Sequence, residues 1–377
     1  MSCKKKKKLL TLFLFLLLLI QFIPGKRVQA DEEADPKKLQ TLAVPFFSIK
    51  LVPPANQPAG YDINYFDIKV TPGMKQDLEF YLASTAKTDQ KIKISPTNAS
   101  NSGGNIIATE VKEGPDASNK QPFTSFGFDK TTLNLKPGEI KKVKISFTVP
   151  DQPFDGLKIG GINLETSLTT TSGAKDNKNQ KAGLKFVNKY SMGIQVVLSE
   201  TEKLVLADLR VKEISPLSYK TAPAVGVKIQ NPNLQYMDDL SIDATVTRLA
   251  NKKDQHNRKV NGYGFAPTSN YVYKIEWNPK EKMEAGKYRL KLKAKAKQNH
   301  LSLTKAQQKQ QEWQITKDFT ITKSQADNIN RKNPNYKPDY RWLYIVIAIL
   351  GVILILFLFW LVFTIGRKHT NKNVQIK

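Results

Sequence analysis

The chain has 377 residues, and 59 Lys and Arg against 33 Asp and Glu give it a formal net charge of +26. At about 150 residues per domain that length fits two domains, and 40% hydrophobic with 9% aromatic content excludes a wholly disordered chain. One cysteine and three histidines exclude a disulfide scaffold, a cysteine-built zinc site and an iron–sulfur cluster, and they disfavour a histidine-rich metal site.

Five lysines, Lys4 to Lys8, precede an apolar run over residues 9–20 that only Thr11 interrupts. That run is too short to cross a hydrocarbon core of about 30 Å, which takes roughly 20 helical residues. Pro24-Gly25 then breaks it, and Val28-Gln29-Ala30 places small residues at the −3 and −1 positions of a cleavage site. Residues 1–30 are therefore expected to be a secretory signal peptide, with an uncleaved signal anchor as the alternative. Cys3 lies upstream of the run and leaves with it, so the exported chain is cysteine-free, a habit that points to a Gram-positive bacterium.

At the other end, residues 342–365 are 24 positions without a charge, about 36 Å of helix at 1.5 Å per residue, enough to span a bilayer. Trp342 and Tyr344 sit at one edge, and Arg367, Lys368, Lys372 and Lys377 follow the other. Aromatic rings prefer the interface and cations the inner side, so residues 366–377 are expected to be a cytoplasmic tail. The reading is a single-pass type I membrane protein whose bulk faces the cell wall. Seven of the cations belong to residues 1–30 and four to the tail, which leaves 48 against 33 acids, or +15, on residues 31–341. Such a charge draws a domain to an anionic wall or membrane surface, or merely keeps it soluble.

Between these ends the hydrophobic pattern has period 2. Examples are Phe47-Ser48-Ile49-Lys50-Leu51, Tyr65-Phe66-Asp67-Ile68-Lys69-Val70, Leu78-Glu79-Phe80-Tyr81-Leu82 and residues 143–149. Pro53-Pro54, Thr71-Pro72-Gly73, Lys136-Pro137-Gly138 and Ala285-Gly286 punctuate the runs at strand-plus-turn spacing. Short alternating strands with such turns predict an all-β chain of two immunoglobulin-like β-sandwich domains. Residues 41–200 are expected to form the first and 201–323 the second, followed by a stalk over 324–341, with an amphipathic helix beginning at Ser324. The Pro137-Gly138-Glu139 turn is expected to join two strands at a paired edge, and residues 157–170 and 183–198 to form a long hairpin.

The inventory does not support an enzyme. His256 and His300 lie in polar runs expected to be loops, no Gly-x-Ser-x-Gly or His-Glu-x-x-His motif occurs, and no cysteine nucleophile remains after export. No cofactor or metal site is expected. One strand is more informative: Arg289, Lys291, Lys293, Lys295 and Lys297 share one face at period 2, with Leu290, Leu292, Ala294 and Ala296 on the other. These cations suit a phosphate-bearing wall polymer such as a teichoic acid, or else they guard an exposed edge strand against aggregation. Nucleic acid is excluded as a partner by compartment. Asn98-Ala99-Ser100 matches a glycosylation sequon by chance, and the amide-rich stretch 97–105 suits either a sugar or peptide ligand or a solvated loop.

Phe47-Ser48-Ile49-Lys50-Leu51-Val52-Pro53-Pro54-Ala55-Asn56-Gln57, Leu135-Lys136-Pro137-Gly138-Glu139 and Phe154-Asp155-Gly156-Leu157-Lys158-Ile159-Gly160-Gly161 resemble the first half of the WxL-interacting proteins. Asn231-Pro232-Asn233, Gly264-Phe265-Ala266-Pro267-Thr268-Ser269-Asn270 and Phe319-Thr320-Ile321-Thr322-Lys323, with Ala326 and Asn330, resemble the second half. The resemblance implies a peptidoglycan-binding domain followed by a host-binding domain, tethered to the membrane by the C-terminal helix and without catalytic residues. It implies as partners peptidoglycan and either a Trp-x-Leu surface protein or a host extracellular matrix protein. No Trp-x-Leu triplet occurs in this chain. Glycan contact through exposed amides and aromatics makes Asn56, Gln57, Tyr65, Asn98 and Asn105 the candidates. The alternatives are a scaffold or adhesin that binds only proteins, and an electrostatic binder of teichoic acids.

Overall fold

A computed structural model describes residues 42–58, 63–109, 114–128, 130–172, 184–297, 310–335 and 341–372. Residues 1–30, read as a signal peptide, His300, and residues 373–377 of the expected tail lie outside the described residues. The first sandwich sets a sheet of β1 (Leu42–Val44), β2 (Phe47–Val52), β4 (Lys75–Ser84) and β9 (Ile140–Thr148) against a second sheet. That second sheet runs β3 (Phe66–Lys69), β11 (Leu184–Ser199), β10 (Leu157–Ser172), β5 (Gln90–Asn98), β8 (Thr131–Leu135). Alternation decides what is buried: Leu78, Phe80 and Leu82 of β4 meet Ile94, Leu164 and Val196 from the facing sheet in one core. Phe123 sits in a single turn of 3-10 helix, Phe123–Ser125, with its ring centroid 5.3 Å from Phe126, 4.7 Å from Phe128 and 5.5 Å from Phe147.

The Lys136–Glu139 turn forms as its residues dictate. Gly138 takes φ +71° and the Glu139 carboxylate accepts the Lys136 backbone N–H at 2.7 Å. Its two strands do not pair with each other, however. β8 pairs with β5 and β9 with β4, so the turn carries the chain from one sheet to the other. The β10–β11 hairpin is as expected, in register from Leu157↔Ser199 to Ser172↔Leu184.

The second sandwich sets three strands against four. β12 (Arg210–Tyr219), β13 (Ala222–Asn231) and β16 (Ser269–Glu276) face β15 (Asn251–Phe265), β14 (Met237–Arg248), β17 (Gly286–Lys297) and β18 (Gln310–Ile321), each sheet in that order. Seven strands split three and four, with the chain crossing between sheets three times, form the immunoglobulin-like arrangement. Val227, Ile242, Tyr273, Trp277, Tyr288 and Leu290 are among its buried core.

Two expectations fail here for physical reasons. Residues 252–259, read as a loop, lie in the first part of edge strand β15. Its inner-facing polar residues cover aromatic rings: His256 stacks on Trp277 at 3.7 Å between ring centroids, and the Arg258 guanidinium lies 5.3 Å from the Tyr273 ring. The amphipathic helix expected from Ser324 forms as Lys323–Arg331, but it closes the second core with Ala326 and Ile329 instead of standing in the stalk. A capping box between Thr322 and Gln325 starts this helix. Buried Asn330 then accepts the Met283 N–H at 2.9 Å and donates to the Met283 carbonyl at 2.9 Å. Asn330→Ala strands both groups and is expected to cost about 2–3 kcal/mol. A shift of under about 0.5 kcal/mol in urea unfolding would show that the clamp is dispensable.

Beyond it, the helix Arg341–Lys372 contains an exposed apolar stretch, Leu343–Val362, long enough to cross a membrane.

Candidate functional site

The two sandwiches meet through a small apolar cluster and a polar joint. Ala99, Leu157, Ile159 and Val197 of the first bury against Ala266 of the second, flanked by Tyr65, Ile106 and Tyr236. Two glycines permit the approach. Gly156 sits at φ +88°, where an added Cβ would lie 2.2 Å from the Leu234 carbonyl oxygen. Gly104, at φ +90°, would place one 2.5 Å from the Tyr263 ring. The Gly104 carbonyl instead accepts the Gly264 N–H at 2.8 Å.

Asn101, in the hairpin of β6 (Ser100–Ser102) and β7 (Asn105–Ile107), bridges to the second domain. Its amide donates to Ser269 Oγ at 2.8 Å and to the Asn270 carbonyl at 3.1 Å, while its oxygen accepts the Ala266 N–H at 2.8 Å. Asp116 is the second bridge. One carboxylate oxygen accepts from Gln230 at 2.6 Å and from the Ser118 hydroxyl and N–H at 2.6 and 2.9 Å; the other accepts from Asn270 at 2.9 Å. Burial pushes this carboxyl upward, but the bonds from Asn270, Ser118 and Gln230 outweigh it and hold it at about 2.

Beside the joint lies a cleft of about 340 Å³. Thr97, Asn98, Asn119, Thr124, Phe128 and Lys130 of the first sandwich line it, and Thr268, Ser269 and Asn270 of the second close one side. Thr268 holds φ +42°, a conformation β-branched residues rarely adopt, and its N–H is bound by the Asn233 carbonyl at 3.2 Å. Amides, hydroxyls, one ring, the Lys130 cation and the Asp116 carboxylate make this lining polar and of mixed charge.

The five amide and aromatic candidates are not gathered at one place. Asn98 alone of them lines the cleft, braced by Thr124: its oxygen accepts the Thr124 N–H at 3.3 Å and its amide donates to Thr124 Oγ1 at 3.2 Å. Tyr65 is half-buried in the cluster between the sandwiches, where burial raises its hydroxyl pKa. Asn56 donates to the Lys69 carbonyl at 2.7 Å and to Gln76 at 2.8 Å, and Gln57 accepts the Asp67 N–H at 3.2 Å. Both fasten the loop that leads into β3. Asn105 is exposed on β7. Sequence reading missed Asp116 and Lys130, whose isolated charges in polar runs carry no periodic signal. It also missed Lys158, which is 4% exposed and whose ammonium bonds Gln121 at 2.6 Å and lies 4.6 Å from the Phe154 ring. Burial brings Lys158 down to about 8.

The basic strand is β17, and it is not an edge: β14 pairs along one side and β18 along the other. Arg289 is held by Asp318 through two bonds of 2.7 and 2.9 Å, Lys295 by Glu312 at 2.7 Å and Lys297 by Asp239 at 2.6 Å. Lys291 and Lys293 lie between these pairs on the exposed face.

Fold and joint thus define a two-domain, immunoglobulin-like protein with a C-terminal apolar helix long enough to cross a membrane. The chain matches the family model described as "WxL Interacting Protein, peptidoglycan binding domain" over residues 47–166. It matches "WxL Interacting Protein, host binding domain" over residues 181–331. It belongs to the WxL-interacting protein family. Both matched families are binding domains, and together with the apolar C-terminal helix they fit a membrane-anchored protein of the cell surface. No curated protein matches the chain. Among solved structures, a chaperone–tip adhesin complex of CFA/I fimbriae is 13% identical, covering 71% of this chain and 97% of that one at a TM-score of 0.28. The class 5 fimbriae chaperone CfaA is 13% identical, with 70% and 98% covered and a TM-score of 0.28. The Pseudomonas aeruginosa CupB2 chaperone is 10% identical, with 67% and 99% covered and a TM-score of 0.27. Overlaps this loose bear on neither fold nor function.

Proposed function

We propose that the protein is a non-enzymatic wall linker. Its first domain holds peptidoglycan at the cleft beside the joint, and its second engages a protein partner, either a Trp-x-Leu surface protein or a host extracellular matrix protein. It would reach the surface of a Gram-positive bacterium through a signal peptide and remain there as a single-pass type I membrane protein. The observation that carries the glycan assignment is the cleft itself, where Asn98, Asn119 and Thr124 offer donors and acceptors beside the Phe128 ring. An apolar ring face beneath a sugar and amides at its N-acetyl group are a common division of labour in polar pockets. Peptide stems carry carboxylates, and Lys130 supplies the complementary charge.

Asn119→Ala with Lys130→Ala removes two lining side chains while sparing the Asn98–Thr124 brace. In co-sedimentation of the detergent-solubilised full chain with purified sacculi, this double variant is expected to weaken retention about tenfold. Retention equal to the parent protein would remove the cleft as the glycan site. Recovery of a single surface protein by the parent chain, without any sacculus binding, would favour the reading in which both domains bind proteins.

A further inference from the structure

The six cations on the outer face of β17, from Lys287 to Lys297, have no role in the reading above. As an edge strand, β17 would need them against aggregation; paired on both sides, it does not. Successive cations on one face of a strand stand about 6.7 Å apart, two residues of rise, and like charges held so close repel. Acids relieve part of this row. Asp318 takes Arg289, Glu312 takes Lys295 and Asp239 takes Lys297. The middle is left open. Lys291 stands between Thr245 and Thr316, and Lys293 between Asp243 and Gln314. Asp243 in turn accepts a bond from Asn257 at 2.8 Å and has Lys259 across from it on β15. Over the four strands the face presents Lys259, Lys287, Arg289, Lys291, Lys293, Lys295 and Lys297 against Asp238, Asp239, Asp243, Glu312 and Asp318, with Asp238 across from Lys297 at the end of the row. Hydroxyls and amides fill the positions between them.

We propose that this face is a second binding site, which takes a linear phosphodiester polymer of the polyol-phosphate class lying along β17. Lys291 and Lys293 engage successive phosphates, and Thr245, Thr316 and Gln314 bond the intervening hydroxyls. The spacing favours this occupant, because one phosphate per short polyol unit repeats on the scale of the strand's side-chain period. A central strand keeps the row straight, which a flexible polyanion does not have to supply for itself. The site lies on the second domain and is independent of the glycan cleft.

The test uses the full chain in neutral detergent and immobilised poly(glycerol phosphate) as probe. Lys291→Gln with Lys293→Gln is expected to weaken binding roughly tenfold at low salt. The charge-matched control, Lys75→Gln with Lys87→Gln on the first sandwich, should change it less than about twofold. Binding by the parent should fall steeply as ionic strength rises. Equal losses in the two double variants would overturn the site as mere net charge, and so would an absence of binding. Poly-glutamate binding as tightly as the polymer, or capture by phosphatidylglycerol vesicles but not by the polymer, would overturn the assigned occupant.

Discussion

Gly160→Ala is expected to destabilise the first sandwich by about 3 kcal/mol, although it adds one methyl group. The added Cβ would fall 2.1 Å from Phe123 Cγ. Neither side can give way cheaply. Gly160 lies in β10, paired with Asn98 on β5 and Val196 on β11, so its backbone is fixed from both flanks. Phe123 is 1% exposed and wedged among Phe126, Phe128 and Phe147. Displacing it also moves Thr124, which braces Asn98 at the cleft wall. Gly127→Ala is the control: φ is +77° there, but a Cβ would meet nothing within 4 Å, so the cost is the backbone strain of about 1 kcal/mol alone. Urea unfolding of the full chain in detergent, followed by tryptophan-independent circular dichroism, ranks the two variants. If Gly160→Ala is no worse than Gly127→Ala, the close packing of β10 under Phe123 is not what the glycine serves.

The same glycine marks how far the residues announce the structure. Strands with one apolar and one polar face were legible because burial writes period 2 into the chain, as in β4, β14 and β17. Strand β15 was not, since its inner positions His256 and Arg258 cover rings with polar groups and leave no apolar stripe. Register with its neighbours was equally invisible for the Lys136–Glu139 turn, because a tight turn between two strands looks alike whether they pair or cross between sheets. At the cleft, Asn98 could be singled out from an amide-rich run, but Asp116 and Lys130 are brought there by tertiary folding. Asn56 and Gln57 carry the same amide chemistry as Asn98 and are spent on backbone and side-chain partners nearby. Residue type offered the candidates, and only tertiary folding decides which of them stands at the cleft. The motifs that carry the family resemblance gain a physical content from this. Phe154 to Gly161 supplies Gly156 and Gly160, and Gly264 to Asn270 supplies partners for Gly104, Asn101 and Asp116.

Asp116 gives the second large effect, and its sign follows from its ionisation. The folded protein holds this carboxyl at about 2, below the usual value near 4. A depressed carboxyl stabilises the folded state fully above its unfolded value, and that contribution disappears as pH falls from about 4 toward 2. What is lost is the junction. Protonated Asp116 can no longer accept all the bonds from Ser118, Gln230 and Asn270, and two of those donors belong to the second sandwich. Asp116→Ala removes the acceptor at every pH. With bonds to a carboxylate valued at about 1.5–3 kcal/mol and discounted for partial exposure, it is expected to loosen the joint by about 2 kcal/mol. Hydrogen exchange at Ser269 and Asn270 reads the joint without requiring either sandwich to unfold. Protection there should be flat from neutral pH down to about 4 in the parent, after correction for intrinsic rates, and fall below it. In Asp116→Asn it should already be reduced at neutral pH and show no further step. The Asp155 carboxyl is also lowered, by bonds from Lys203 and Thr201 in the segment after β11. The difference between parent and Asp116→Asn isolates the junction from it, and matching pH profiles in the two proteins would mean that Asp116 does not hold the domains together.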